Sequence, residues 1–503
     1  MALNVAYLLR RAAAYYPQSV AVEDGTTSLT LAELLARGER LANALDDLGI
    51  GLGASVGVLS DNRTEFVVAD VAIAVGGRIR VALNARLHLE DFRFVAADAD
   101  LRALFYSRTH AEAAEALAEE FGLTLICLDP SDGEHTLDSL IAAGSGQVRV
   151  RPVDDEDPAW ITYTSGTTGR PKGIVLSHRA IREVAFNLLL ELAPVHPGEQ
   201  ILLTQAISHA SGYLVLPYLL SGAGVYLMPK FDPEQVWALS SRPNMRTLKA
   251  VPSMLEPLLN AEAGKWGFET IVYGAASIPQ PLLERCLDRY GPIMLQDYGQ
   301  SEAPMTITCL SKLDHLDAGA RLSAGRPWRT VAVEVRGPSA LPVEAGDVGE
   351  VYVRGPHMMT GYHKNPEATA DVLIDGWLRT KDLAKMDDRG FVYLQGRSDE
   401  MINSGGYNIS PREVEDVLVT YLGVGEVVVL GMPDQRWGDS VTAVITPSDG
   451  SPLSAADIMA FARPRLGMRA PKRVEIWAEI PRTSYGKVDR AAVRMRLSDG
   501  TPP

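Results

Sequence analysis

The chain of 503 residues carries 48 Lys and Arg against 63 Asp and Glu, a formal net charge of -15, with 46% hydrophobic and 22% charged residues. This is globular composition, long enough for about three domains or subdomains at the usual 100–200 residues each. Its acidic balance argues against a nucleic-acid backbone or an anionic membrane surface as the main partner. The three cysteines, Cys127, Cys286 and Cys309, are too few and too scattered for a disulfide framework or a zinc site, and they fit buried, reduced thiols in a cytoplasmic protein. At the N-terminus Arg10 and Arg11 follow a short apolar stretch rather than precede one, unlike a signal peptide. No apolar run approaches the ~18 residues of a membrane helix, so no integral membrane segment is expected.

In chain order, Thr30-Leu31-Ala32-Glu33 reads as a capping box, and Leu31, Leu34, Leu35, Leu41, Leu45 and Leu48 follow it at helical spacing as far as Gly49. Residues 55–59 (SVGVL) read as a buried strand ending at Ser60-Asp61-Asn62, and residues 67–75 as a helix of small residues. Such alternation predicts α/β layers with parallel strands. The polar, acidic stretch 144–158 reads as a surface connection, and residues 160–163 as a strand. From Val331 onward β-type segments (VAVEVRG, GEVYVRG, FVYLQG) predict a small β-rich subdomain ending near Gln395. A helix capped by Ser410 is expected over 411–418, a strand over 426–430, and an α+β pattern to the end. The expected fold class is therefore α/β followed by α+β. It comprises a large N-terminal domain of α/β layers with a small β-rich subdomain (1–395), a hinge (396–400) and a mobile, small α+β C-terminal domain (401–503).

The strand at 160–163 runs into Thr164-Ser165-Gly166-Thr167-Thr168-Gly169-Arg170-Pro171-Lys172-Gly173. Glycines let backbone N–H groups approach an anion, hydroxyls donate to it, and Lys172 adds a point charge. The Walker arrangement would place Gly-Lys-Ser/Thr at a helix start; here Lys172 follows a proline and leads into the apolar run IVLSH, so this is a different phosphate loop. TSGTTGRPKG resembles the phosphate-binding signature of the acyl-adenylate-forming superfamily, which includes acyl-CoA synthetases, adenylation domains of peptide synthetases and beetle luciferases.

Further stations follow in that family's order. Tyr273-Gly274-Ala275-Ala276-Ser277 resembles the small-residue turn along the adenine, where a flat purine face needs backbone beside it. Asp297-Tyr298-Gly299-Gln300-Ser301-Glu302 resembles the aromatic-Gly-x-Thr-Glu element, with Ser301 in place of Thr. The resemblance implies that Tyr298 stacks on adenine, that Asp297 lies near the exocyclic amine, and that Glu302 ligands Mg²⁺. Thr380-Lys381-Asp382 resembles the Thr-Gly-Asp element whose carboxylate accepts from both ribose hydroxyls. Lys381 stands where the family has glycine, and a positive φ there would strain it. Residues 396–415 resemble the hinge and the start of the C-terminal domain, which gives Arg397 a place at the ribose or phosphate and makes Asp399 the hinge. Pro481-Arg482-Thr483-Ser484-Tyr485-Gly486-Lys487 resembles the terminal lysine motif, in which Lys487 bridges the carboxylate and the α-phosphate and stabilises the charge that develops there.

The stretch Gln205–Tyr213 falls where acyl-CoA synthetases carry an aromatic-His element; His209 matches the histidine and Ser208 replaces the aromatic residue. It contains no acid to pair an α-ammonium, whose unpaired burial would cost several kcal/mol, so a non-amino acid is expected: fatty, aryl or alicyclic. Gly212 and Tyr213 join His209 as acyl-site candidates. Gly405, Gly406 and Arg473, the last within the cationic strip Arg463, Arg465, Arg469, Lys472 and Arg473, are candidates for coenzyme A. The implied activity is ATP-dependent formation of an acyl-adenylate, with Lys487, Glu302, Thr164, Lys172 and His209 as the catalytic set, followed by transfer to CoA. ATP, Mg²⁺ and CoA are the implied cofactor and co-substrates. A stand-alone enzyme loading a carrier protein is the alternative, and the sequence leaves room for a homodimer.

Overall fold

A computed structural model describes residues 3–130, 135–164, 171–192, 194–261, 264–448, 452–482 and 488–499. The chain groups into two compact units: residues 1–277, 282–333 and 353–378 form the first, and residues 278–281, 334–352 and 379–503 the second.

The first unit is built on two sheets. One has seven strands in the order Gly361–Tyr362, Lys172–Ser177, Pro158–Thr164, Ile79–Leu83, Ser55–Leu59, Leu101–Tyr106 and Thr124–Cys127. The predicted SVGVL strand pairs in parallel with both its neighbours and is buried along its whole length, as expected of a strand covered on both faces. The other sheet has nine strands, with a parallel centre from Met294–Gln300 through Thr270–Gly274, Met245–Ala250, Gln200–Leu203 and Gly224–Leu227 to Val20–Glu23. Ala303–Leu310 and Ser28–Thr30 pair antiparallel at the two sides of that centre.

Local chemistry explains the helices. Thr30 and Glu33 form the reciprocal capping box at the start of Leu31–Asp47, a cap worth about 1 kcal/mol. Leu31, Leu34, Leu41 and Leu45 are buried, and Gly49 takes a φ of 78° beyond the helix end. The predicted small-residue helix spans Thr64–Val75. Residues 145–157 contain neither helix nor strand, as read from their polarity.

A five-stranded sheet drawn from residues 332–397 includes Ala332–Arg336, Val348–Arg354 and Val392–Arg397, the three β-type segments of the sequence. The second unit continues with a sheet of Tyr407–Ile409, Ile402–Ser404, Gly438–Pro447, Val424–Asp434 and Arg473–Ile476. Helix Pro411–Leu418 has the predicted bounds and buries Val414 and Leu418 in that sheet's core, at roughly 1.5–3 kcal/mol for each side chain. Ser410 occupies the N-cap position, but its hydroxyl does not cap the helix; it donates to the Gln395 carbonyl, so the expected cap is corrected to a tie back to residue 395. The strand expected over 426–430 is longer, Val424–Asp434, because ten residues of Gly438–Pro447 pair along it. Among the described residues no helix is long and apolar enough to cross a membrane.

Candidate active site

The candidate phosphate-binding motif begins and ends in an antiparallel pair. Pro158–Thr164 and Lys172–Ser177 pair in a register that sets Thr164 opposite Lys172. Ser165, Gly166, Thr167, Thr168 and Gly169 lie outside the described residues, as does the Thr164 side chain. The stem is held from behind: the Tyr163 hydroxyl donates to Asp98 Oδ2 at 2.6 Å, and burial together with that carboxylate pushes the phenol's pKa up. Gly173 packs against the Tyr163 ring and His363, where a Cβ would come within 3.0 and 3.1 Å of them.

Lys172 is half-buried, and its ammonium lies 5.0 Å from the centre of the Tyr362 ring. The hydroxyl of that tyrosine donates to Glu302 Oε1 at 2.8 Å. Glu302 sits in a tight turn: Gln300 pairs with Ala303, leaving Ser301 and Glu302 at the tip, and the Glu302 carbonyl accepts from Met359 N at 2.8 Å. Gly299 is required just before the turn, since a Cβ there would stand 2.4 Å from Met305 N. The structure thus brings Lys172 and Glu302 together through Tyr362, which the sequence reading did not include.

At the turn expected to face adenine, Gly274 pairs with Asp297, and Ala275 and Ala276 follow as exposed residues, with Ala275 at a φ of 65°. Tyr298 is half-buried beside them. Asp297 receives the Lys249 ammonium at 2.5 Å in a pair that is almost wholly buried. Lys249 was also missed. Its strand, Met245–Ala250, offers a lysine among apolar neighbours, and that is the only signal sequence reading could have used.

The candidate acyl loop is pinned by two further residues that no motif announces. Asn62 donates to the Gln205 carbonyl at 2.8 Å and to the Met228 carbonyl at 3.1 Å, and its Oδ1 accepts from Ile207 N at 2.9 Å. Arg80, paired with Asp70 at 2.7 Å, donates to the Ile207 carbonyl at 2.9 Å. Gly212 packs against that same carbonyl, 2.2 Å from where its Cβ would stand. Beyond it lie half-buried His209, at the start of the short helix Ala210–Leu214, and buried Tyr213. Tyr213 packs on Trp160, with ring centroids 4.9 Å apart, and burial pushes its phenol up to about 12.

The second unit carries the remaining candidates. Asp382 pairs with Arg397 across antiparallel strands, with 3.4 Å between guanidinium and carboxylate. Arg397 also forks onto Asp399 at 3.0 and 3.3 Å. Lys381 does adopt the left-handed conformation, at a φ of 64°. Gly405 and Gly406, at φ of 59° and 83°, are exposed, and a Cβ on Gly405 would meet the Trp437 ring at 2.9 Å. In the cationic strip Arg469 pairs with Glu413, Arg473 with Glu475, and Lys472 donates to the carbonyls of Met468 and Ala470, so these charges are already partnered locally. Lys487 lies outside the described residues; within and just after its motif, Arg482 pairs with Val488.

The profile of the AMP-binding enzyme family matches residues 9–363, and that of the AMP-binding enzyme C-terminal domain matches residues 413–487. The chain is 36% identical to a feruloyl-CoA synthase from Amycolatopsis sp over 499 residues, 97% of this chain and 98% of that protein. It is also 36% identical to a medium/long-chain-fatty-acid–CoA ligase of Mycobacterium tuberculosis, over 95% of this chain and 87% of that one. The structure of o-succinylbenzoate CoA synthetase from Bacillus subtilis, in complex with an acyl-adenylate intermediate, superposes with a TM-score of 0.88 at 27% identity, covering 98% of each chain. With the AMP-binding enzyme profiles covering residues 9–363 and 413–487 and with these relatives spanning nearly the whole chain, the protein belongs to the AMP-binding enzymes, in the acyl-CoA synthetase branch of the acyl-adenylate-forming superfamily.

Proposed function

We propose that this protein joins a non-amino carboxylic acid, fatty, aryl or alicyclic, to coenzyme A in two half-reactions at one site. It is an AMP-forming acid–thiol ligase. In the first half-reaction a carboxylate oxygen bonds to the α-phosphorus of ATP as the bond to pyrophosphate breaks. In the second, the CoA thiol loses its proton, its sulfur bonds to the acyl carbon, and AMP leaves. The observation that carries this reading is the Lys172–Tyr362–Glu302 group at the open end of the 164/172 stem, where cation and carboxylate stand together as a triphosphate with its metal requires.

In this reading Thr164–Gly169 and Lys172 hold the β- and γ-phosphates, Gly274–Ala276 and Tyr298 hold the adenine, and Asp382 and Arg397 hold the ribose. Lys487 offsets charge growing on the α-phosphate during adenylation. Rotation about Asp399 then withdraws Lys487 and brings Gly405 and Gly406 to the thiol. The donor chemistry fits Mg²⁺: Glu302 offers one half-buried carboxylate on a turn, which suits a hard ion that arrives with phosphate oxygens. Mg²⁺, held by Glu302, would supply charge neutralisation on the phosphates. Absence of an acid from Gln205–Tyr213 supports the non-amino substrate.

The test is carboxylate-dependent ATP–pyrophosphate exchange across a panel of fatty, aromatic and polycyclic acids, followed by product analysis with and without CoA. Exchange with one acid class and acyl-CoA formation are expected. No exchange with any acid would end the reading, and transfer only to a carrier protein's phosphopantetheine would replace CoA as the acceptor.

A further inference from the structure

We infer that Tyr362 is the positioning residue for Glu302, holding one carboxylate oxygen so that the other faces the metal that accompanies ATP; this rests on the function proposed above. Strand pairing sets the position of Tyr362. The short strand Gly361–Tyr362 pairs antiparallel with Lys172–Ser177, placing Tyr362 opposite Ile174 and Gly361 opposite Val175. In an antiparallel pair, side chains of diagonal neighbours lie on one face within reach of an aromatic ring. Lys172, two residues before Ile174, is such a diagonal neighbour, and this places its ammonium 5.0 Å from the ring centre.

The tyrosine is itself held. Its N–H donates to Thr369 Oγ1 at 2.9 Å, and the Thr369 hydroxyl donates to the Asn365 carbonyl at 2.8 Å. Met359, three residues earlier, donates its N–H to the Glu302 carbonyl at 2.8 Å, so one chain segment grips both the backbone and the side chain of Glu302. A carboxylate at the tip of a two-residue turn would otherwise sample several rotamers. With Oε1 taken by the phenol, rotation about the carboxylate axis is restricted and Oε2 is left to the cation. The ring does a separate job, stacking beneath the Lys172 ammonium, so one side chain spaces the cation from the carboxylate and keeps them from neutralising each other directly.

The experiment separates these two jobs. ATP-dependent thermal stabilisation of the full chain is titrated with Mg²⁺, and ATP–pyrophosphate exchange is measured on the same preparations. Tyr362→Phe keeps the ring and removes the hydroxyl; we expect the Mg²⁺ half-point to rise about five- to tenfold, the scale of one net hydrogen bond, with the KM for the acid unchanged. Tyr362→Leu should additionally weaken ATP binding. In a Glu302→Gln background Tyr362→Phe should move the half-point no further, because the two groups act as one. An unchanged half-point in Tyr362→Phe, or additive shifts in the double variant, would overturn the inference. A parent protein that shows neither Mg²⁺-dependent ATP stabilisation nor exchange would overturn the proposed function itself, a distinct result.

Discussion

The Lys249 ammonium and Asp297 Oδ1 meet at 2.5 Å across an intervening strand, with 1% and 6% of their side chains exposed. Lys249 lies on Met245–Ala250 and Asp297 on Met294–Gln300, with Thr270–Gly274 between them. The pair is possible because the middle strand ends in a glycine: a Cβ on Gly274 would stand 2.7 Å from Asp297 Oδ1 and 2.3 Å from the Asp297 carbonyl. Gly274 therefore serves the ion pair and also opens the turn proposed for adenine.

Lys249→Met should destabilise the protein by about 3–5 kcal/mol, because it leaves a buried carboxylate without its cation. Adding Asn at position 297 should recover part of that loss, since a neutral amide is cheaper to bury. Urea unfolding of the two variants measures this; equal stability of the single variant and the parent would show that the pair is solvated.

Lys381 occupies a left-handed conformation that costs an L-residue about 1–2 kcal/mol, whereas glycine pays only about 0.5–1 kcal/mol in unfolded-state entropy. Lys381→Gly should therefore stabilise by about 0.5–1 kcal/mol. A lowered denaturation midpoint would mean that contacts of the lysine side chain outweigh the strain.

Asn62 makes three hydrogen bonds, two of them to the backbone of residues 205–207. Asn62→Ala removes all three and should cost about 2–3 kcal/mol. Because the freed loop leads to His209, the KM for the acid should rise several-fold more than the KM for ATP. Equal changes in both would assign Asn62 to general stability.

His178 is buried and its Nδ1 accepts from Val5 N at 3.4 Å. Burial depresses its pKa to about 4, against the attraction of Asp157 and Asp155. The unfolded chain takes up a proton near pH 6.5 while the folded chain does not until about pH 4, so stability is full above 6.5 and falls as the pH drops toward 4. The loss from this group is about 3 kcal/mol. Stability of His178→Gln should show a flatter pH dependence over that interval; an identical profile would exclude His178 as a source.

Lys487→Ala should abolish adenylation yet retain thioester formation from supplied acyl-adenylate, as the two-conformation reading requires. Asp399→Pro should impair the second step more than the first. Pre-formed acyl-adenylate with CoA separates the steps, and equal loss of both in Lys487→Ala would contradict the alternation.

Local rules made much of the protein legible in advance. The Thr30–Glu33 cap, the strand Ser55–Leu59 and the helix Pro411–Leu418 depend on neighbours a few residues apart, so their signals are written contiguously. Motifs such as TSGTTGRPKG likewise concentrate their signal in one stretch, since the small and hydroxylated residues proposed to receive phosphate are consecutive in sequence. Tertiary structure decided the rest. Tyr362 meets Glu302 over 60 positions, Lys249 meets Asp297 over 48 and Asn62 meets Gln205 over 143. Each of these side chains is individually ordinary, and its role arises from strand order and register. Ser410 shows the same limit at short range, since a good N-cap residue was drawn instead to the Gln395 carbonyl that the fold placed beside it. The sequence by itself determined the elements and the chemistry of the loops; only the packed sheets decided which distant residues hold those loops in place, because long-range pairing leaves no periodic trace along a single chain.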